Sequence, residues 1–326
     1  MIKQLQQNLY TFNVTLPNTA LKQINAYVIK SEDRSLLIDT GYNLPESRSD
    51  LLAGIQELEI DLDQLDVFIT HLHSDHTGLT PLFQDAGARI YCGQVDGHIL
   101  EATLTSEFWQ EMLEQYHQYG MSEIETNLDQ NPLYALRPQE AVNYTYVNPG
   151  EILSYGGYRL KIVDLPGHTP GHLGLYNPEE NWLLAGDTVL DPISPNITYW
   201  GSAYGDILGR YFQTLNHLAK QSLDLIYPAH RQIIHQPSQR IQELLAHHQQ
   251  RLDEIYQAMK PGIDYTANEL SASISWRVKF KSWDDFPVSQ KYFAVGETMA
   301  HLVHLYTIGA IKCQDKQGVL YFRKPH

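Results

Sequence analysis

Thr70-His71-Leu72-His73-Ser74-Asp75-His76-Thr77-Gly78 packs four metal-capable side chains into six residues. It follows Val67–Thr70, a short apolar run that reads as a buried strand. In extended chain, side chains at i and i+2 point the same way. His71 and His73 can therefore reach one ion, while the turn that follows re-aims Asp75 and His76 toward a second. Imidazole nitrogen and carboxylate oxygen suit zinc, with iron or manganese as alternatives. Two ions need more than four donors, so further ligands are expected downstream.

Three later segments supply them. Pro166-Gly167-His168-Thr169-Pro170-Gly171-His172 follows a strand expected over Tyr158–Leu165. Ala185-Gly186-Asp187-Thr188 follows Trp182–Ala185, and Tyr227-Pro228-Ala229-His230 follows Leu223–Tyr227. Each places a ligand type just past a strand end, where loops gather into sites. Leu173–Tyr176 and Ala88–Cys92 are further strands, and Ile24–Lys30 with Arg34–Asp39 reads as a hairpin. Leu51, Leu52, Ile55 and Leu58 carry the period of an amphipathic helix. The layout is α/β, and its hairpins argue against an all-parallel sheet.

These residues resemble the ordered motifs of the metallo-β-lactamase superfamily over roughly residues 10–235, with Leu37-Ile38-Asp39-Thr40-Gly41 matching the first of them. The resemblance implies an αββα sandwich of two mixed sheets. It implies that His71, His73 and His168 bind one ion, that Asp75, His76 and His230 bind another, and that Asp187 bridges the two. By the same resemblance Asp39 and His172 support the ligands without ligating.

The chain has 326 residues and a formal charge of −15, which disfavours a general nucleic-acid binder. No apolar run is long enough for a membrane span, and the polar N-terminus suggests a cytoplasmic protein. Two cysteines, Cys92 and Cys313, cannot build a disulfide framework. The charge is uneven. Residues 240–326 hold 11 Lys/Arg against nine Asp/Glu, and the preceding part nets −17. That step suggests two domains, 1–238 and 239–326. Segment 94–141 is helical in pattern, with Leu104, Phe108, Met112 and Tyr116 four apart and nine acids against one base. It lies between two ligand clusters, as either an ordinary packed excursion or a lid.

Beyond Arg240, Ile241, Leu244, Leu245, His248, Leu252 and Ile255 form one amphipathic stripe. Thr266-Ala-Asn-Glu269 is a capping box opening a second helix, and Ser289–Ile308 reads as a third. Ala310–Cys313 and Val319–Arg323 flank the polar turn Gln314–Gly318. Three helices and a hairpin follow the order of a winged helix, and this region resembles the appendage of the hydrolase branch that includes β-lactamase-like endoribonucleases. His247, His248, His301 and His304 sit on helical stripes as packing or surface residues. Arg231 is expected in a surface salt bridge.

The expected function is that of a dinuclear hydrolase, in which a hydroxide bridging two metals attacks a small ester, thioester or lactone. Asp75 would orient the hydroxide. Trp109, Tyr199 and Trp200, with Phe108 and Met112, are placed to line the entrance. A metal-dependent phosphodiesterase or ribonuclease is the alternative, and a mononuclear-iron sulfur dioxygenase a further one. The expected partner is a small-molecule substrate. Winged helices also serve as dimerisation modules, so a homodimer is one assembly to expect.

Overall fold

The computed structural model describes residues 1–123, 126–278 and 280–326. A first sheet joins β1 (Lys3–Gln4), β2 (Leu9–Thr15), β3 (Gln23–Ile29), β4 (Ser35–Ile38), β5 (Leu65–Phe68), β6 (Ile90–Gly93) and β7 (Tyr144–Val147) in that order. Its first four strands are antiparallel, and β4 to β7 run parallel. The second sheet holds β8 (Ile152–Tyr155), β9 (Tyr158–Asp164), β10 (Leu173–Asn177), β11 (Trp182–Gly186) and β12 (Leu225–Pro228). Only β11 and β12 pair in parallel there. Both sheets are thus mixed.

The two-residue period of the strands builds the layers. Tyr27 and Ile29 of β3, Leu36 and Ile38 of β4 and Phe68 of β5 face Leu160 and Ile162 of β9, Leu175 of β10 and Trp182 and Leu184 of β11. These side chains form the dry layer between the sheets. The alternate residues face outward onto helices. Ile24, Ala26, Val28, Leu37 and Val67 pack with Leu51 and Ile55 of α1 (Pro45–Glu57) and with Phe83 of α3 (Thr80–Asp85), just beyond the short α2 (Ser74–Thr77). Leu183, Ala185 and Ile226 pack with Ile207, Tyr211 and Leu215 of α7 (Ile207–Lys220). Because both faces are covered, the central strands are mostly apolar, with Asp66 of β5 a buried exception.

The described residues of segment 94–141 include α4 (Gln94–Ala102), α5 (Ser106–Gln118) and α6 (Pro132–Leu136). Leu104 stands outside α5 and is exposed, because Thr105 caps that helix by accepting from Phe108 N. The C-terminal unit contains α8 (Pro237–Ala258), α9 (Ala267–Ser271) and α10 (Val288–Thr307). The capping box at Thr266 and Glu269 forms as expected. Its three-stranded sheet has the order β13 (Asp264–Tyr265), β15 (Val319–Arg323), β14 (Lys312–Lys316). The turn in its hairpin is shorter than the sequence suggests. Gln314, Asp315 and Lys316 are paired strand residues, and Gln317 (φ 56°) and Gly318 (φ 83°) alone make the reversal. Positive φ at both positions is the two-residue geometry that matches strand twist.

The C-terminal unit shares its core with the second sheet. Ile241, Leu244 and Leu252 of α8 and Val295, Met299 and Leu302 of α10 join one apolar cluster with α7 and β11. Inside it, His248 Nδ1 lies 3.2 Å from His301 Nε2, so these two histidines pack as a buried pair. Among the described residues, no helix is long and apolar enough to cross a membrane.

Candidate metal centre

All ligand types named from the sequence arrive at one end of the sandwich. His71, His73, Asp75 and His76 follow β5, His168 follows β9, Asp187 follows β11 and His230 follows β12. They form three overlapping groups, each with its ligand atoms within 4.8 Å of one another: His71, His73, His168; His71, His76, Asp187; and Asp75, His76, His230. Asp187 Oδ2 lies 3.5 Å from His230 Nε2 and 3.7 Å from both His76 Nε2 and His168 Nε2. Asp75 Oδ2 lies 3.2 Å from His230 Nε2 and 3.7 Å from His76 Nε2.

The hydrogen bonds behind these rings aim them. His76 Nδ1 donates to Asp39 Oδ2 at 2.8 Å, His168 Nδ1 to the Asn196 carbonyl at 2.7 Å, and His230 Nδ1 to the Gln23 carbonyl at 3.0 Å. Thr70 Oγ1 donates to Asp39 Oδ2 (2.8 Å), which leaves it to accept from His71 Nδ1 (3.1 Å). In each of these four rings the outer nitrogen holds a proton, which leaves Nε2 as the atom facing inward. His71 Nε2 faces His73 Nδ1 at 3.1 Å.

These inward atoms fit a metal. Among the described residues, His76 Nε2, His168 Nε2, His230 Nε2 and Asp187 Oδ1 are buried with no hydrogen-bond partner. Orphaned buried polar atoms are costly unless something satisfies them. The electrostatics agree. Burial, with neighbouring histidines, pushes His71 down, and it pushes His73 to about 3, so both rings are neutral. Burial would also lower His76, yet Asp39, Asp75 and Asp187 raise it instead. Burial likewise would lower His230, and Asp187 and Asp75 raise it. Burial opposes ionisation of Asp75, but His76 and His230 hold its carboxyl down at about 2. This is a place built for positive charge.

His172 is outside the ligand groups. Its Nε2 accepts from the Asp187 backbone N–H at 3.1 Å, and its ring stacks on His71. It therefore sets Asp187 in place. Gly186 (φ 51°) precedes that residue, and a Cβ there would stand 2.7 Å from His172 Cε1 and Nε2. Only glycine lets the chain turn so close to the ring. Asp39 is likewise a support, accepting from Thr70 N, Thr70 Oγ1 and His76 Nδ1.

The centre opens into a cavity of about 930 Å³. His73, Asp75, His168 and Asp187 sit on its wall with Phe108, Met112, Tyr116, Tyr199, Trp200, Tyr292 and Phe293. The Trp200 ring is 6.1 Å from that of His73. Trp109 does not line this space. It is buried, donates Nε1 to the Thr103 carbonyl at 2.7 Å, and packs on Phe108 and Tyr134. Consecutive helical residues point about 100° apart, and here Phe108 turns to the cavity while Trp109 turns into the packing. Arg231 also lies elsewhere, donating to the Ala20 carbonyl rather than pairing with a carboxylate.

Sequence reasoning missed Asp96. It is buried, and its Oδ2 accepts from Leu72 N (3.0 Å) and Thr169 Oγ1 (2.6 Å), its Oδ1 from Gly171 N (2.7 Å). It knots the first histidine loop to the loop of His168. Burial pushes its carboxyl up to about 6. Also missed were Tyr292 and Phe293, which bring the C-terminal unit to the cavity wall.

Known proteins are similar to this chain. The atrochrysone carboxyl ACP thioesterase of Emericella nidulans is 26% identical over 67% of this chain and 55% of its own length. The hydroxyacylglutathione hydrolase GloC of Haemophilus influenzae is 29% identical over 53% of this chain and 70% of its own. The solved structure of a metallo-beta-lactamase family protein from Thermus thermophilus is 29% identical with a TM-score of 0.82, and covers 98% of this chain and all of that one. The chain spans between 54% and 60% of the length of the fungal relatives it matches. The sequence profile of the metallo-beta-lactamase superfamily matches residues 20–230, which hold every ligand type described above, and the chain belongs to that superfamily.

Proposed function

We propose that this chain is a metal-dependent hydrolase of esters and thioesters that carry an apolar acyl group. One observation carries the reading: the metal-fitting cluster opens into a large cavity whose wall is more apolar than polar, with aromatic side chains beside the cluster. Names among the relatives, a thioesterase and a hydroxyacylglutathione hydrolase, support it.

His71, His73 and His168 would hold one ion, and Asp75, His76 and His230 a second, with Asp187 within reach of both. Two divalent ions, zinc on this nitrogen-rich set, would supply Lewis acidity toward the acyl carbonyl and a nucleophilic water at neutral pH. The chain does the rest. Asp39, Thr70 and the carbonyls of Asn196 and Gln23 hold the imidazole protons on the outer nitrogens. Asp75, anionic and facing His230, accepts a hydrogen bond from the attacking water and orients it. Tyr199, Trp200, Phe108 and Met112 bind the acyl chain and exclude bulk water.

The C-terminal unit has the helix and hairpin order of a winged helix. We read it as a wall of this cavity rather than a nucleic-acid module. The one base in α10, Lys291, is buried over the Trp283 ring, and its one acid, Glu297, is buried as well. A buried helix cannot enter a groove or meet phosphates.

The test uses purified protein, metal analysis and a series of acyl thioesters. Close to two metals per chain are expected, with turnover that rises with acyl length. His71→Ala should lose metal and turnover while keeping its circular dichroism. Full activity in metal-free protein, or cleavage of RNA in preference to thioesters, would overturn the proposal.

A further inference from the structure

The C-terminal unit reaches the metal centre through a short chain of contacts. His168 Nδ1 donates to the backbone carbonyl of Asn196 at 2.7 Å. The Asn196 side chain, through Nδ2, donates to Glu297 Oε2 at 2.8 Å and to the Phe293 carbonyl at 3.3 Å. Both acceptors belong to α10. Glu297 Oε1 in turn lies 3.5 Å from Arg251 Nε of α8. Asn196 is therefore clamped onto α10 by its side chain, while its backbone oxygen aims the His168 ring.

A second set of contacts presses the same loop onto the same helix. Tyr199 N donates to the Gly296 carbonyl at 3.1 Å. Thr198 Oγ1 donates to Asn196 Oδ1 at 3.0 Å, and it would stand only 2.4 Å from a Cβ placed on Gly296. Gly296 is thus the gap in α10 that admits the loop. The Thr198 hydroxyl cannot swing away without releasing Asn196.

We infer that Glu297 is a positioning residue for His168, acting through Asn196, so that the C-terminal unit completes the metal centre instead of serving as a separate binding module. The inference rests on the reading of His168 as a ligand. Groups that orient a ligating histidine typically change metal affinity or activity 10- to 100-fold when removed. A residue that only filled space in α10 would change stability and leave affinity alone.

The experiment measures zinc affinity by competition with a chromophoric chelator, beside thermal melts and thioester turnover. Glu297→Ala is expected to weaken one of the two zinc sites by ~10-fold or more. Glu297→Gln keeps an oxygen for Asn196 Nδ2 and should stay within about threefold of wild type; a loss in Glu297→Ala with retention in Glu297→Gln is the contrast that a purely structural role in α10 would not predict. Asn196→Ala keeps the carbonyl but frees the loop, and should match Glu297→Ala. The double variant should be no weaker than either single one, because both break the same link. Gly296→Ala gives an independent check. It favours the helix by propensity yet should weaken the same site by displacing Thr198.

Wild-type affinity in Glu297→Ala, or losses that add in the double variant, would overturn the inference. If Glu297→Ala does not fold, unchanged affinity in Asn196→Ala and Gly296→Ala would overturn it just as well. Affinity is read with zinc alone. Absence of thioester turnover in every variant would therefore defeat the hydrolase reading without touching this one.

Discussion

Asp39 accepts three hydrogen bonds while exposing almost no surface, and two of them govern the protons of His71 and His76. Asp39→Asn removes the charge and puts an amide N–H opposite a donor. We expect a ~10- to 100-fold loss of zinc affinity, measured by chelator competition. Gly186→Ala should likewise shift the Asp187 amide away from His172 and lower the melting temperature. At this scale the sequence was most legible where ligands are contiguous. Four donors in six residues cannot be mistaken for a polar turn. It was least legible where a ligand's support comes from afar. Asp96 lies 24 residues from Leu72 and 75 from Gly171, and its three acceptor contacts exist only after folding. The Asn196 and Gln23 contributions are carbonyls, which every residue carries. Trp109 was misplaced because a helical period tells which residues share a face, not which face meets the cavity.

Elements show a different kind of dependence. Asp66 of β5 sits in the layer between the sheets and is fully buried. Burial would raise its carboxyl, but bonds from Arg34, Arg89 and Tyr155 hold it at about 2. Tyr155 belongs to β8, so this carboxylate ties one sheet to the other. The folded group binds its proton less readily than the unfolded one, whose value is 3.8. Its stabilisation is therefore present above about pH 4 and lost as pH falls toward 2. The shift corresponds to about 2 kcal/mol. Asp66→Asn should be less stable than wild type by urea unfolding at pH 6, with the gap closing between pH 4 and pH 2. The strands around Asp66 were readable because apolar residues alternate toward two packed faces. Leu9–Thr15, Tyr144–Val147 and Ile152–Tyr155 escaped notice because they lie toward the sheet margins, where polar and half-exposed residues interrupt the period.

Across the whole molecule, the charge step near residue 239 marks a real change, since α8 starts at Pro237. The apolar packing does not stop there. The apolar cluster of α7 and β11 continues into α8 and α10 without a break. Residues 1–236 alone should expose that surface, bind 8-anilinonaphthalene-1-sulfonate and melt without cooperativity. A sharp melt and no dye binding would show two separable domains. The acidic segment 94–141 is also fastened to this unit: Asn268 N donates to the Tyr119 carbonyl at 3.0 Å, and the Tyr116 and Tyr292 rings meet at 4.8 Å. Composition shows a step in charge, and packing shows that the parts on either side of it share a core.

The carbonyl of Gln23 that orients His230 lies 207 residues away in the chain. Asn25 and Tyr27 of the same strand donate to the carbonyl of Pro228, and Asn25 N to that of Ala229. Strand β3 of the first sheet must therefore be in position before His230 can be. In time rather than in space, this would make metal uptake a clock. On the ribosome no complete site exists until the segment through His230 has emerged and docked on β3. In refolding, capture of the metal should lag behind the appearance of β-structure. Stopped-flow traces of a zinc indicator and of circular dichroism, run side by side, would show whether the two events separate.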